Sequence, residues 1–132
     1  MDYSGVTERG TRVMGLLANG AASTVVKADP QLLWPVPQHW SLEDAATIPL
    51  AYCLAFYCLG HTVILYRGQS VLVHGGAGAL GQAVISIALA HGCNVFTTVS
   101  DLYKKRLLKR LFPDLPGNMV VNYFKILQRS KT

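Results

Sequence analysis

Glycines 76, 78 and 81 stand between a β-branched run, Val71-Leu72-Val73, and the apolar segment Ala83–Ala90. Glycines at this spacing, following a strand and opening a helix, build a cradle for a dinucleotide diphosphate. One allows a tight turn, the second lets the backbone approach the diphosphate, and the third lets helix and strand pack closely. The anion rests on N–H groups at the helix N-terminus. Gly76, Gly78 and Gly81 are therefore candidate cofactor-binding residues. A glycine loop that only turns the chain is the competing reading, and the strand and helix on either side favour binding.

The end of the next strand selects the cofactor. An acid there bonds a ribose 2′-hydroxyl and marks NAD, whereas cations without the acid mark a 2′-phosphate and NADP. The run Asn94–Val99 ends in Val99-Ser100, with Asp101 next and Lys104-Lys105-Arg106 behind it. Asp101 at the acid position favours NAD; Val99 or Ser100 there favours NADP, as does the cationic cluster. Charge runs are also common on solvated helix faces, so spacing alone leaves the choice open.

The elements that position these residues follow from pattern. Gln82–His91 reads as a buried crossover helix, with Gly92 as its stop. Asn94–Val99 is a second strand, and strand, helix and strand in about thirty residues make a βαβ unit with a parallel sheet. Asp101–Leu111 is a cationic helix that carries Leu102, Leu107, Leu108 and Leu111 and ends before Pro113. Met119-Val120-Val121 is a third strand candidate. Upstream, Arg12–Leu17 and Ala22–Lys27 read as short strands, and Leu32–Pro37 as an extended link because its two prolines forbid a regular helix. An all-β piece thus runs to about residue 38. A helix capped by Ser41, with Glu43 and Asp44 in its first turn, starts the α/β part.

Composition bounds the function. In 132 residues, 51% apolar and 14% charged, one core can be buried. A complete dinucleotide fold needs about six strands; roughly half is present, so exposed faces are expected, and the chain reads as a fragment or as one that requires partners. The net charge of +5 gathers late in the chain, but without aromatic-rich strands or zinc spacing it does not point to nucleic acid. Cys53, Cys58 and Cys93 form no metal or redox motif and suit buried, reduced thiols of a cytoplasmic protein. Ala45–Tyr66 carries no Asp, Glu, Lys or Arg and approaches the length of a membrane span. Pro49 and Gly60-His61-Thr62 favour instead a helix buried between two subdomains, with no membrane.

Several motifs taken in order resemble the medium-chain dehydrogenase/reductase family, in its quinone-reductase-like branch. They are Gly10–Gly15, Trp34-Pro35-Val36-Pro37, Trp40–Pro49, Ala51-Tyr52, Ala55-Phe56-Tyr57 and His74–Gly81. Within that branch Leu33-Trp34, Phe96–Val99 and Arg110–Pro113 most resemble the enoyl reductase domain of animal type I fatty acid synthase. The resemblance covers roughly residues 3 to 123.

It implies an α/β fold: the N-terminal half of a Rossmann-type parallel sheet preceded by a partial GroES-like β segment. Residues 1–40 would be the GroES-like segment, 41–66 the linking helix region, 67–123 the partial NADP-binding domain and 124–132 a divergent tail. It implies NADPH, no metal, and reduction of a trans-2-enoyl thioester on an acyl carrier domain in fatty acid synthesis, within a larger multidomain homodimer. By position, Gly75, Gly76, Ala77, Gly78, Ala79, Leu80 and Gly81 would cradle the diphosphate, Lys104 would meet the 2′-phosphate beside Ser100, and Tyr52 and Leu54 would approach the nicotinamide. Leu54 departs from the Thr common there, and Asp101 from the usual Ser or Thr. Tyr52 reads first as a core aromatic on a buried helix, ahead of a catalytic role. The family's proton donors fall outside this chain, so no catalytic residue is assigned and the chain is expected to be inactive alone. The alternatives are a quinone or ζ-crystallin-like NADPH reductase and a non-catalytic nucleotide-binding or interaction module.

Overall fold

The computed structural model describes residues 1–117 and 119–122, and the 124–132 tail lies outside the described residues. The chain divides into two compact units, Met1–Cys53 and Leu54–Thr132.

In the first unit β1 (Asp2–Val6), β2 (Arg12–Leu16) and β3 (Leu33–Pro35) form an antiparallel sheet in that order. Residues with alternate polarity make this possible: Tyr3, Val13 and Val36 are buried beneath it. The β1–β2 turn is closed by Thr7 N–H to the Thr11 carbonyl at 2.9 Å. The expected strand Arg12–Leu17 and the extended link through Trp34 are present. The expected strand Ala22–Lys27 is not: this stretch is irregular and Val25 is 83% exposed. Both edges of β2 are already taken, by β1 and β3, so a strand from 22–27 has no edge of β2 left to pair with. Asp2–Val6, too mixed in pattern to be read as a strand, is the segment that pairs.

Ser41 caps α1 (Leu42–Ala45) as expected. Asp44 N–H donates to Ser41 Oγ at 2.9 Å and Ser41 N–H to Asp44 Oδ2 at 3.2 Å, a reciprocal capping box. The expected buried helix beyond it is corrected. Pro49, which has no N–H, starts a separate helix, α2 (Pro49–Phe56), and a π-helical turn follows at Tyr57–Thr62. Leu50, Leu54, Phe56 and Tyr57 are exposed. By length and composition alone, Leu42–His61 is apolar enough to cross a membrane.

The second unit holds the βαβ core. β4 (Ser70–Val73), β5 (Asn94–Val99) and β6 (Val120–Asn122) form a parallel sheet in that order, joined by α3 (Ala79–Ala90) and α4 (Leu102–Leu111). Ile85 and Ala88 of α3 and Leu108 of α4 are buried with Val73, Val95, Val99 and Val120 in one cluster. Full burial of a side chain such as Ile85 or Leu108 contributes about 1.5–3 kcal/mol. α3 stops at Gly92, whose φ of 73° suits a left-handed residue; its N–H bonds the Leu89 carbonyl at 2.9 Å.

The other face of the sheet presents Leu72 and its register partner Phe96, which are 71% and 39% exposed. Apolar surface left open there matches an incomplete doubly wound sheet. Of the three cysteines only Cys93 is buried; Cys53 and Cys58 are exposed, against expectation, because α2 and the turn after it bury little.

Candidate functional site

The loop between β4 and α3 is built by close approach. Gly75 has φ 76°, so the tight turn falls there and not at Gly76. A Cβ on Gly76 would meet Thr97 Oγ1 at 2.0 Å, and one on Gly81 would meet the Gly75 carbonyl at 2.5 Å. These two glycines let loop, strand and helix touch. Gly78 is different. A Cβ there would meet only the Gly75 oxygen, at 3.5 Å, so its open side is available to a ligand.

An inventory of loop amides shows which could donate to that ligand. Gly75 N–H is taken by Thr98 Oγ1 at 3.2 Å and Gly76 N–H by the Thr98 carbonyl at 3.1 Å. Gly78 N–H is taken by the Gly75 carbonyl at 3.1 Å. The first helical bond of α3 is Gln82 N–H to the Gly78 carbonyl at 2.9 Å. No acceptor within the described residues engages the N–H groups of Ala77, Ala79, Leu80 and Gly81, and Gly78 offers no side-chain cap. A helix N-terminus with unspent amides favours an anion.

A cleft of about 340 Å³ opens over this loop, lined by His74, Gly75, Ala77, Gly78, Thr98, Val99, Ser100 and Lys104. That lies at the small end of ligand clefts, roughly 300–1,000 Å³, and suits part of a dinucleotide.

At its far wall Lys104 Nζ donates to Ser100 Oγ at 2.7 Å and lies 3.6 Å from Asp101 Oδ2. Asp101 is the N-cap of α4: its Oδ1 accepts Lys104 N–H at 2.8 Å and its Oδ2 accepts the Ser100 hydroxyl at 2.8 Å. The Lys104 amide, then the Ser100 hydroxyl and the nearby ammonium, hold the carboxyl below its ordinary value. Asp101 is thus engaged in the cap and does not line the cleft.

Gly75, Ala77, Gly78, Ser100 and Lys104 come together in this cleft. Gly76 and Gly81 act as packing positions behind it. Of the Lys104-Lys105-Arg106 cluster only Lys104 lines the wall, since Lys105 Nζ donates to the Val120 carbonyl at 2.7 Å. Tyr52 belongs to the other unit, where it is half-buried on α2. His74 and Thr98 also line the cleft. Their signal was their place at the C-terminal ends of parallel strands, where ligands of such sheets bind. Among the described residues no group of His, Cys, Asp or Glu could hold a metal.

No family model matches the chain. It is 40% identical over 102 residues to the partially reducing polyketide synthase tpeA of Talaromyces stipitatus, covering 75% of this chain and 4% of that one. It is 43% identical over 89 residues to erythronolide synthase EryA2 of Saccharopolyspora erythraea, covering 67% and 2%. Among solved structures it resembles the CurK enoyl reductase, with TM-score 0.77 and 29% identity over 92% of this chain and 37% of that one. It also resembles the quinone oxidoreductase of Thermus thermophilus, solved alone and with NADPH, with TM-score 0.81 and 30% identity over 99% of this chain and 42% of that one. The chain therefore spans a few hundredths of these curated relatives and about two fifths of the similar structures. The fold is a partial Rossmann and GroES-like arrangement, as in those oxidoreductases. Both curated relatives are polyketide synthases, not the animal fatty acid synthase that the sequence motifs resemble.

Proposed function

We propose that this chain carries the nucleotide-binding half of an NADP(H)-dependent enoyl reductase that works within a multidomain assembly line. One observation carries the reading. Lys104 and Ser100 stand together on the wall of the glycine-loop cleft, while the one nearby carboxylate, Asp101, is engaged in a helix cap. A cation suits a 2′-phosphate, and the charge of Asp101, which accepts the Ser100 hydroxyl at 2.8 Å and lies 3.6 Å from Lys104 Nζ, is partly offset by that lysine and by the Lys104 amide it caps.

The residues fit NADP(H) on three counts: the open side of Gly78, the unspent amides of Ala77, Ala79, Leu80 and Gly81, and the Lys104–Ser100 pair. Those amides would hold the diphosphate and the pair would hold the 2′-phosphate. When bound, the cofactor supplies the hydride for a trans-2-enoyl thioester on an acyl carrier domain. The chain's own part is to fix the adenine half and both anions in place, so that no reorganisation is needed at reaction. The carrier-bound thioester is common to fatty acid and polyketide assembly; the relatives favour polyketide assembly. A cytoplasmic, homodimeric parent protein goes with this reading.

Fluorescence titration of the chain with NADPH and NADH tests it. NADPH should bind at least tenfold more tightly; equal affinity, or preference for NADH, overturns the assignment. The similarity to the quinone oxidoreductase over 99% of the chain favours a second reading, quinone reduction by the same cofactor. Comparing quinones with enoyl thioesters on the longer parent protein separates the two.

A further inference from the structure

Two consecutive loop amides end on one residue of the neighbouring strand. Thr98, 8% exposed, accepts Gly75 N–H at its hydroxyl and Gly76 N–H at its carbonyl. The same hydroxyl oxygen lies 2.8 Å from His74 Nδ1. A hydroxyl has one proton to give, and with Gly75 N–H as its donor that proton is available to the imidazole. The adjacent Thr97 hydroxyl is committed elsewhere, to the Val73 carbonyl at 2.8 Å. Thr98 is therefore the single side chain through which β5 grips the loop at Gly75.

We propose that Thr98 is the positioning residue of the cleft: its hydroxyl accepts Gly75 N–H and donates to His74 Nδ1, setting the loop for the diphosphate. The inference rests on the nucleotide reading above. Its logic is conformational. Gly75 is free to adopt many conformations, and its carbonyl must turn to Gly78 N–H while its amide turns to β5. Only then do the amides of Ala77, Ala79, Leu80 and Gly81 remain for an anion. Thr98 also lies two residues before Ser100, so one strand end sets the spacing between the diphosphate donors and the Lys104–Ser100 pair.

Thr98→Val keeps the shape and removes the hydroxyl; Thr98→Ser keeps the hydroxyl. Titrating the 132-residue chain with NADP⁺ and with 2′-AMP, which has no diphosphate, separates positioning from general damage. Thr98→Val should weaken NADP⁺ by about tenfold, the equivalent of one lost hydrogen bond, and leave 2′-AMP within about twofold. Thr98→Ser should stay near the parent for both. Equal loss for both ligands, or no loss for NADP⁺, overturns the proposal.

Two ligand-free readouts keep it testable if NADP⁺ does not bind the parent chain, a result that sinks the functional reading alone. Amide hydrogen exchange at Gly75 should quicken in Thr98→Val and not in Thr98→Ser; unchanged exchange refutes the positioning role. In the unsubstituted chain, ring ¹⁵N shifts of the neutral His74 imidazole should show its proton on Nε2. A proton on Nδ1 refutes the donation to it, and this measurement needs no variant to fold.

Discussion

Lys104 Nζ and Ser100 Oγ are 2.7 Å apart, joined across the start of α4 on the wall of the glycine-loop cleft. Their pairing places a cation on that wall while its contact with Asp101 stays long, at 3.6 Å. Lys104→Ala should lower NADPH affinity about tenfold and leave NADH affinity nearly unchanged, the usual scale for one charge-assisted hydrogen bond at a half-exposed group. Parallel titrations of the two cofactors provide the check; an equal loss for both would place Lys104 outside the 2′-phosphate site.

The glycines separate into two kinds, and substitutions should separate them too. Gly78→Val adds a side chain on the open side and should abolish NADPH binding with the thermal transition unchanged. Gly76→Ala drives a Cβ toward Thr97 Oγ1 and should destabilise the unit by about 1–3 kcal/mol, the scale of overpacking. Thermal melts and titrations on both variants decide; a stable, nonbinding Gly76→Ala would contradict the packing role.

Protonation of Asp101 should loosen α4 only in acid. Its folded pKa lies below the ordinary 3.8, so the cap's contribution is fully present above that value. It is lost as pH falls through the lowered folded pKa. Helical exchange protection near Lys104 should therefore hold from pH 8 to about 5 and decline below about 4. Asp101→Asn should flatten the decline; the same acid profile in both proteins would exclude this carboxylate as its source.

Ile85 is fully buried between α3 and the sheet. Its replacement by Ala should cost about 2–5 kcal/mol in urea unfolding. A cost under about 1 kcal/mol would mean that the site collapses around the smaller side chain.

The isolated chain should oxidise NADPH with an enoyl thioester at a negligible rate. Steady turnover in a spectrophotometric assay would show that residues within this chain suffice for proton delivery, against the fragment reading.

The βαβ core was legible because each of its signals is local. Val71–Val73, the glycine spacing, the Gly92 stop and Asn94–Val99 all appear where pattern places them. Pairing in the first unit was less legible, because sequence pattern does not say which segments take the two edges of β2: Asp2–Val6 and Leu33–Pro35 do, and Ala22–Lys27 is left irregular. The region after Ser41 misled for a related reason. An uncharged run reports apolarity and not burial, and α2 exposes Leu50 and Phe56. At the site, the family resemblance pointed to Lys104 and Ser100, which do line the cleft, but could not show that Asp101 faces the α4 amides. That depends on an N-cap conformation, φ −149° and ψ 170°, seen only in three dimensions. His74 and Thr98 carry no motif; they are found by where parallel strands end.

β4 and β5 run parallel, so no hairpin can join them, and α3 must be laid down in between. The bond from Thr97 to the Val73 carbonyl spans 24 positions, and chain entropy is lost before that ladder returns any of it. The glycine loop is the first bend of this crossover. The cleft therefore comes into being in the same event as this long-range pairing, and cannot exist on a chain that has not completed it. A dinucleotide that captures the finished crossover would act on a newly made chain as a clamp on folding, with cofactor concentration setting how much of the chain stays assembled.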